Sequence, residues 1–274
     1  MNEVEGRVCV VTGAARGLGQ AIAAALGAAG GRLAICDLRG EELEKTAATL
    51  RAQGCEVRAA TCDVSDSAAV DHFFAEAQQA LGPVEVLVNN AALVPGSPED
   101  ELRRSRHYTY LTTAEPRDTL GFTSAMSDAD WLKYWGVNVH GVFYCTRAAL
   151  RQMEPRRYGR IVNIASIAGL SALSAHSPHY SATKGAVIAF TRAVAAEVAG
   201  ANILVNAVAP GGVMTPTFES YIERLDEPAR NRLYQMIPAG RLGTMEEYAS
   251  LVCYLAGEGH YLAGQIISPN GGMF

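Results

Sequence analysis

Residues 8–19, Val8-Cys9-Val10-Val11-Thr12-Gly13-Ala14-Ala15-Arg16-Gly17-Leu18-Gly19, join an apolar run to a glycine-rich turn, and an alanine-rich segment opens at Leu18. The run lacks polar alternation, the pattern of a strand covered on both faces. The segment that follows, 18–28, reads as a helix. Outward from this unit the alternation repeats. Strands are expected at 32–36, 56–60, 84–88, 160–164, 203–207 and 265–268, and helices at 41–53, 68–80, 128–153, 180–199 and 245–255. Repeated strand–helix units build a parallel sheet with helices on both faces and right-handed crossovers. The expected fold class is α/β, a doubly wound parallel sheet.

With no repeat, low-complexity tract or linker, residues 1–274 read as one domain. Two stretches break the rhythm. Residues 93–127 carry Pro95, Pro98 and Pro116 and little periodicity, and residues 211–243 follow the sixth strand. Long connections in compact α/β domains tend to be insertions or lids. The first is read as an insertion and the second as a substrate lid. Ser127 followed by Asp130 forms an N-cap that ends the insertion and starts the helix holding Trp131 and Trp135.

The glycine turn has a chemical reading. Gly13 permits the tight exit from the strand, Gly17 lets backbone approach a pyrophosphate, and Gly19 allows close packing of the helix. The helix N-terminus beginning at Leu18 offers N–H donors to phosphate. A strand before and a helix after satisfy the context that this Rossmann-type dinucleotide turn requires. Asp37, eighteen residues after Gly19, stands where a carboxylate hydrogen-bonds the adenosine ribose and repels a 2′-phosphate. That favours NAD. Arg16 and Arg39 pull toward NADP, since a guanidinium can pair with the extra phosphate. Asp37 weighs more, because its carboxylate sits where the ribose should be.

Bulk properties exclude other classes. A net charge of −5 argues against a nucleic-acid or anionic-membrane surface. No apolar run reaches membrane-spanning length, and the acidic residues 1–6 lack the features of a signal peptide. A cytoplasmic protein is expected. The cysteines at 9, 36, 55, 62, 145 and 253 are scattered, with no metal-type cluster, and read as free thiols in apolar surroundings.

Tyr180 and Lys184 lie four residues apart, on one face of a helix. Ser166 lies fourteen residues upstream, just past a strand, on the edge of the sheet where ligands bind. Together with Thr12–Gly19, Asp63-Val64, Asn89-Asn90-Ala91-Ala92, Asn138, Pro210-Gly211 and Thr215-Pro216, these residues make the chain resemble the short-chain dehydrogenase/reductase family in its compact single-domain form. The resemblance implies hydride transfer between a nicotinamide cofactor and an alcohol or ketone. Tyr180 would be the general acid/base. Lys184 would stabilise its phenolate and grip the nicotinamide ribose, and Ser166 would hold the substrate oxygen. Asn138 would hold a water that links Lys184 to solvent. Asp63 and Val64 would flank the adenine, Asn90 would lie near the cofactor ribose, and Val213 and Thr215 would contact the carboxamide. A homotetramer or dimer is the corresponding assembly.

Three features depart from that family. Alanine stands at residue 92 where glycine is commoner, the Ser166–Tyr180 spacing is one residue longer than expected, and the 93–127 stretch is far longer. His176 and His179, just before Tyr180, read as pocket-flanking groups. Arg103, Arg104, Arg106 and Arg117 in the insertion either meet an anionic group or keep it solvated, and solvation is the expected role. Two rival functions stay open. One is a dinucleotide-binding regulator without turnover, against which the intact Asn138/Ser166/Tyr180/Lys184 set speaks. The other is a sugar-nucleotide epimerase or dehydratase, whose glycine spacing and larger C-terminal domain do not match.

Overall fold

A computed structural model of the chain describes residues 4–112 and 118–273, so Pro116 and Arg117 lie outside the described residues. Seven strands form the sheet: β1 (Val8–Thr12), β2 (Arg32–Asp37), β3 (Val57–Thr61), β4 (Val86–Asn89), β5 (Gly159–Ile164), β6 (Ile203–Val208) and β7 (Ile266–Ile267). All are parallel, in the order β3-β2-β1-β4-β5-β6-β7. The order reverses direction between β1 and β4, where Cys9 pairs with Val86 and Val11 with Val88. A crevice opens beyond the strand ends at such a switch point.

Every residue of β1 and β4 is buried, as the unbroken apolar runs require. Cys9, Val11, Leu33, Ile35 and Val88 face one layer, made of α1 (Gly17–Ala28), α2 (Gly40–Ala52) and α10 (Met245–Ala256). Val8, Val10, Ala34, Leu87 and Ile161 face the other, made of α3 (Ser67–Leu81), α6 (Val142–Met153) and α7 (Pro178–Val198). A polar ladder crosses the second layer. Asn89 Nδ2 donates to Asn163 Oδ1 at 2.8 Å and to Thr146 Oγ1 at 3.1 Å, and Asn163 Nδ2 donates to Thr191 Oγ1 at 2.9 Å. Because these groups are buried, the bonds fix β4, β5, α6 and α7 in one register.

The irregular stretches are more ordered than their sequence suggests. The 93–127 insertion contains α4 (Pro98–Thr112). Ser97 Oγ accepts from Asp100 N at 3.2 Å, and Asp100 Oδ2 accepts from the backbone N–H groups of Gly96 and Ser97 at 3.0 Å each. The lid stretch folds as α8 (Pro216–Glu223) and α9 (Glu227–Gln235), closed by a parallel bridge between Val213 and Gly243. The helix expected over 128–153 starts as expected, with Ser127 Oγ accepting from Asp130 N at 3.1 Å. It then divides into α5 (Asp128–Trp135), a π-helical turn at Gly136–Gly141, and α6. Among the described residues no disulfide joins the cysteines, and the Cys36 and Cys62 thiols hydrogen-bond each other. Among the described residues, no helix is long and apolar enough to cross a membrane.

Candidate active site

The crevice is lined first by the glycine turn. Gly13 and Gly17 adopt φ of +67° and +59°, a left-handed conformation that glycine enters without strain. A methyl on Gly13 would meet Ala91 Cα at 2.7 Å, and one on Gly19 would meet the Gly13 carbonyl oxygen at 2.1 Å. These two glycines therefore permit backbone contact between α1 and the strand ends. Gly17 differs: a methyl there would meet only Thr215 Cγ2, at 4.0 Å. Its outer face is open toward the start of α8. No side chain caps α1, and no acidic residue stands in its first turn. An open glycine face beside uncapped N–H groups forms a cradle for a pyrophosphate.

The flanking groups are held by backbone bonds. Asp37 closes β2, where Oδ2 accepts from Ala15 N and Oδ1 from Arg39 N, both at 3.1 Å. Its carboxylate is thereby fixed beside the glycine turn. Arg16 and Arg39 are half-exposed, and a nitrogen of each lies 4.0 Å from the Glu42 carboxylate. Asn90 Nδ2 donates to the carbonyls of Thr12 and Gly13 at 3.0 Å each, tying the end of β4 to the turn. Asp63 Oδ1 accepts from Ser65 N at 2.8 Å, and the buried Val64 lies where a methyl on Gly141 would touch it. At the lid, Met214 N donates to Gly243 O at 2.9 Å, which seats Val213, and Thr215 Oγ1 caps α8 by accepting from Phe218 N.

Ser166, Tyr180 and Lys184 sit beyond β5. Ser166 Oγ accepts from Ala168 N at 3.1 Å as the cap of a short 3₁₀ turn, which leaves its O–H free to donate. That hydroxyl meets the Tyr180 phenol. Burial pushes the Tyr180 phenol above its usual range, while the Ser166 hydrogen bond pulls it back. Lys184 is buried one turn further along α7. Its Nζ lies 5.8 Å from the Tyr180 ring centroid and donates to Ile164 O at 2.7 Å. Burial lowers Lys184 from 10.5 to about 8. A close face of Gly169 against the Lys184 carbonyl sets the approach, since a methyl there would come within 2.9 Å.

Asn138 lies in the π-helical turn, whose wider spacing turns its side chain onto Leu93 and Thr183. Its Oδ1 accepts from Leu93 N at 2.7 Å, and Nδ2 donates to Leu93 O at 3.0 Å and Thr183 Oγ1 at 3.1 Å. The amide thus ties the root of the insertion to the residue before Lys184. π-turns of this kind recur at functional sites.

The structure brings Ser166, Tyr180 and Lys184 together and gathers the glycine turn, Asp37, Asn90 and Thr215 around one crevice. A family model described as short chain dehydrogenase matches residues 7–226. The chain belongs to the short-chain dehydrogenase family. As a short-chain dehydrogenase it is an oxidoreductase acting on CH–OH or keto groups. It is 36% identical to the 3-oxoacyl-[acyl-carrier-protein] reductase FabG of Pseudomonas aeruginosa, over 99% of this chain and 98% of that protein. It is 32% identical to (2S)-[(R)-hydroxy(phenyl)methyl]succinyl-CoA dehydrogenase subunit BbsD of Thauera aromatica, over 98% of this chain and 97% of that one. Among solved structures, the actinorhodin polyketide ketoreductase with NADPH superposes with a TM-score of 0.84 at 34% identity, covering 100% of this chain and 98% of its own. Short-chain dehydrogenases bind NAD(P), and the open cradle at Gly17 fits that group.

Sequence reasoning missed part of the surroundings. Thr12 Oγ1 accepts from Asn90 N at 3.1 Å and Ala91 N at 3.0 Å, so it organises the turn. Tyr134 stacks edge-on to His179, with ring centroids 4.1 Å apart, and to Tyr180 at 6.5 Å. His176 and His179 are buried. Arg104, expected to be solvated, is buried as well, because α4 turns it inward.

Proposed function

We propose that this enzyme transfers a hydride between NAD(H) and a secondary alcohol or ketone, with Tyr180 as proton donor and acceptor. The observation that carries the reading is the arrangement of Ser166, Tyr180 and the buried Lys184 at the end of β5. When bound, the nicotinamide supplies or accepts the hydride. The chain's residues handle the proton. A phenol held above its ordinary range is protonated at neutral pH, the state needed to protonate the oxygen of a ketone as it gains negative charge. Ser166 donates to that same oxygen as a positioned hydroxyl. Lys184, charged below about pH 8, stabilises the phenolate left behind. Asn138 positions Lys184 through Thr183 and, by the family's pattern, holds the water that links Lys184 to solvent.

Gly13, Arg16, Gly17, Leu18 and Gly19 would hold the pyrophosphate end, Asp37 the adenosine ribose, Asp63 and Val64 the adenine, and Asn90 the ribose beyond it. Val213 and Thr215, with Lys184, would hold the nicotinamide end. The fixed Asp37 carboxylate supports NAD over NADP, and Glu42 partly offsets both arginines that favour a 2′-phosphate. Asp37→Asn removes the charge and keeps one acceptor. It is expected to shift the NAD/NADP ratio of kcat/KM toward NADP by on the order of 10²-fold, from the several kcal/mol that juxtaposed like charges cost. An unchanged ratio would remove Asp37 from cofactor selection.

Two relatives named for reduction or oxidation of acyl thioesters make 3-oxoacyl compounds the first ketones to assay. Nicotinamide absorbance followed with NADH and NADPH against ketones tests the function directly, and no turnover with either cofactor would favour the regulator. The groove of about 220 Å³ on α6 and α7, lined by Val139, Val142, Phe143, Val187 and Phe190, supports assembly with copies of this chain. A monomer mass in light scattering at micromolar concentration would contradict that assembly.

A further inference from the structure

We propose that the substrate carries a carboxylate, bound by Arg104 with His107 and His176 on the substrate side of the site. This rests on the hydride-transfer reading above. Burying a guanidinium is costly unless hydrogen bonds and an opposite charge compensate it. Arg104 is only 9% exposed, yet among the described residues no carboxylate lies in ion-pair range of it. Among the described residues its one hydrogen bond runs from Nη2 to Pro95 O at 3.1 Å, which leaves further guanidinium donors for a ligand. The guanidinium lies against the rings of Tyr221 at 4.9 Å and Phe218 at 5.9 Å, on the lid helix α8. These ring faces orient the cation and leave its edge available. The neighbouring acid, Asp100, is spent on Gly96, Ser97 and the helix start.

Two more polar groups converge there. His107, also on α4, and His176, four residues before Tyr180, are both buried with ring centroids 5.6 Å apart. The Nδ1 atoms of both lack a partner. Burial lowers His107, and burial together with the Arg104 charge lowers His176 to about 3, so both rings are neutral at pH 7. Arg104 is therefore the cation of the cluster, and the imidazoles add hydrogen-bonding capacity. A charged group, two buried imidazoles with unpartnered Nδ1 atoms and two aromatic faces are drawn from the insertion, the lid and the loop entering α7. A planar carboxylate matches the guanidinium edge in a bidentate pair.

Binding of hexanoate and of its neutral isostere hexanamide to the full-length protein, measured by calorimetry, separates this from the hydride chemistry, since neither probe is reduced. Wild type is expected to bind hexanoate at least ten-fold more tightly than hexanamide. Arg104→Met should equalise the two, and Arg104→Lys should retain part of the preference. Equal affinities in wild type, absence of hexanoate binding, or a preference that survives in folded Arg104→Met would each overturn the subsite. The wild-type comparison decides even where Arg104→Met fails to fold. Ketone turnover without carboxylate selectivity would leave the proposed function standing and remove only the subsite.

Discussion

Replacing Tyr180 with phenylalanine is expected to lower kcat by about 10³-fold or more, in line with the loss of a positioned general acid, while cofactor affinity stays close to wild type. The ring remains, so its packing against Tyr134 survives, and only the hydroxyl meeting Ser166 is lost. Ser166 cannot take over. Its O–H can donate a hydrogen bond, but an aliphatic hydroxyl is a far weaker acid than a phenol and does not give up its proton. The pH profile of the wild type follows from the same group. Burial raises the phenol, so ketone reduction should be flat through neutral pH, and alcohol oxidation should climb toward alkaline pH as the phenolate forms. Steady-state rates from pH 6 to 10, with fluorescence titration of the cofactor, check both statements. A Tyr180→Phe variant at wild-type rate would end the assignment.

Lys184→Met is expected to cost about 10³-fold in kcat, since the phenolate loses its stabilising charge, and to weaken cofactor binding. The effect on stability should run the other way. The folded-state value of Lys184 is depressed from 10.5 to about 8, so the folded protein disfavours the ammonium that the unfolded chain accepts. Below about pH 8 the full penalty is present, and as pH rises from about 8 to 10.5 the unfolded chain binds more protons than the folded one. Stability contributed by this site therefore increases with pH across that window. Methionine fills the space without a charge. The Tm of Lys184→Met at pH 7 should equal or exceed that of wild type, and the gap should narrow toward pH 10. A lower Tm at pH 7 would show that the bond to Ile164 outweighs the buried charge. A charged, destabilising lysine is the expected cost of a working site.

The legibility of the chain follows from what each segment buries. Strands β1 and β4 are covered on both faces, so their apolar runs are unmistakable, and the glycine turn is forced by backbone contacts closer than a methyl allows. Tyr180 and Lys184 share a helix face at four-residue spacing and needed no tertiary information. The helix α4 was illegible for the opposite reason. Its buried residues are Asp100, Arg104 and His107, so it shows no apolar period. The same feature hid Arg104, whose burial depends on α8 and not on its neighbours in sequence. The π-turn around Asn138 has no local signature. It is defined by bonds to Leu93 and Thr183, each 45 residues away in the chain.

Transfer of label from the cofactor tests the central claim most directly. With NADH carrying deuterium at the transferred position of the nicotinamide ring, and a 3-oxoacyl compound as ketone, the alcohol product should carry one deuterium on the carbinol carbon. Hydrogen on that carbon derived from solvent, with the label retained in the cofactor, would contradict direct hydride transfer from the nicotinamide.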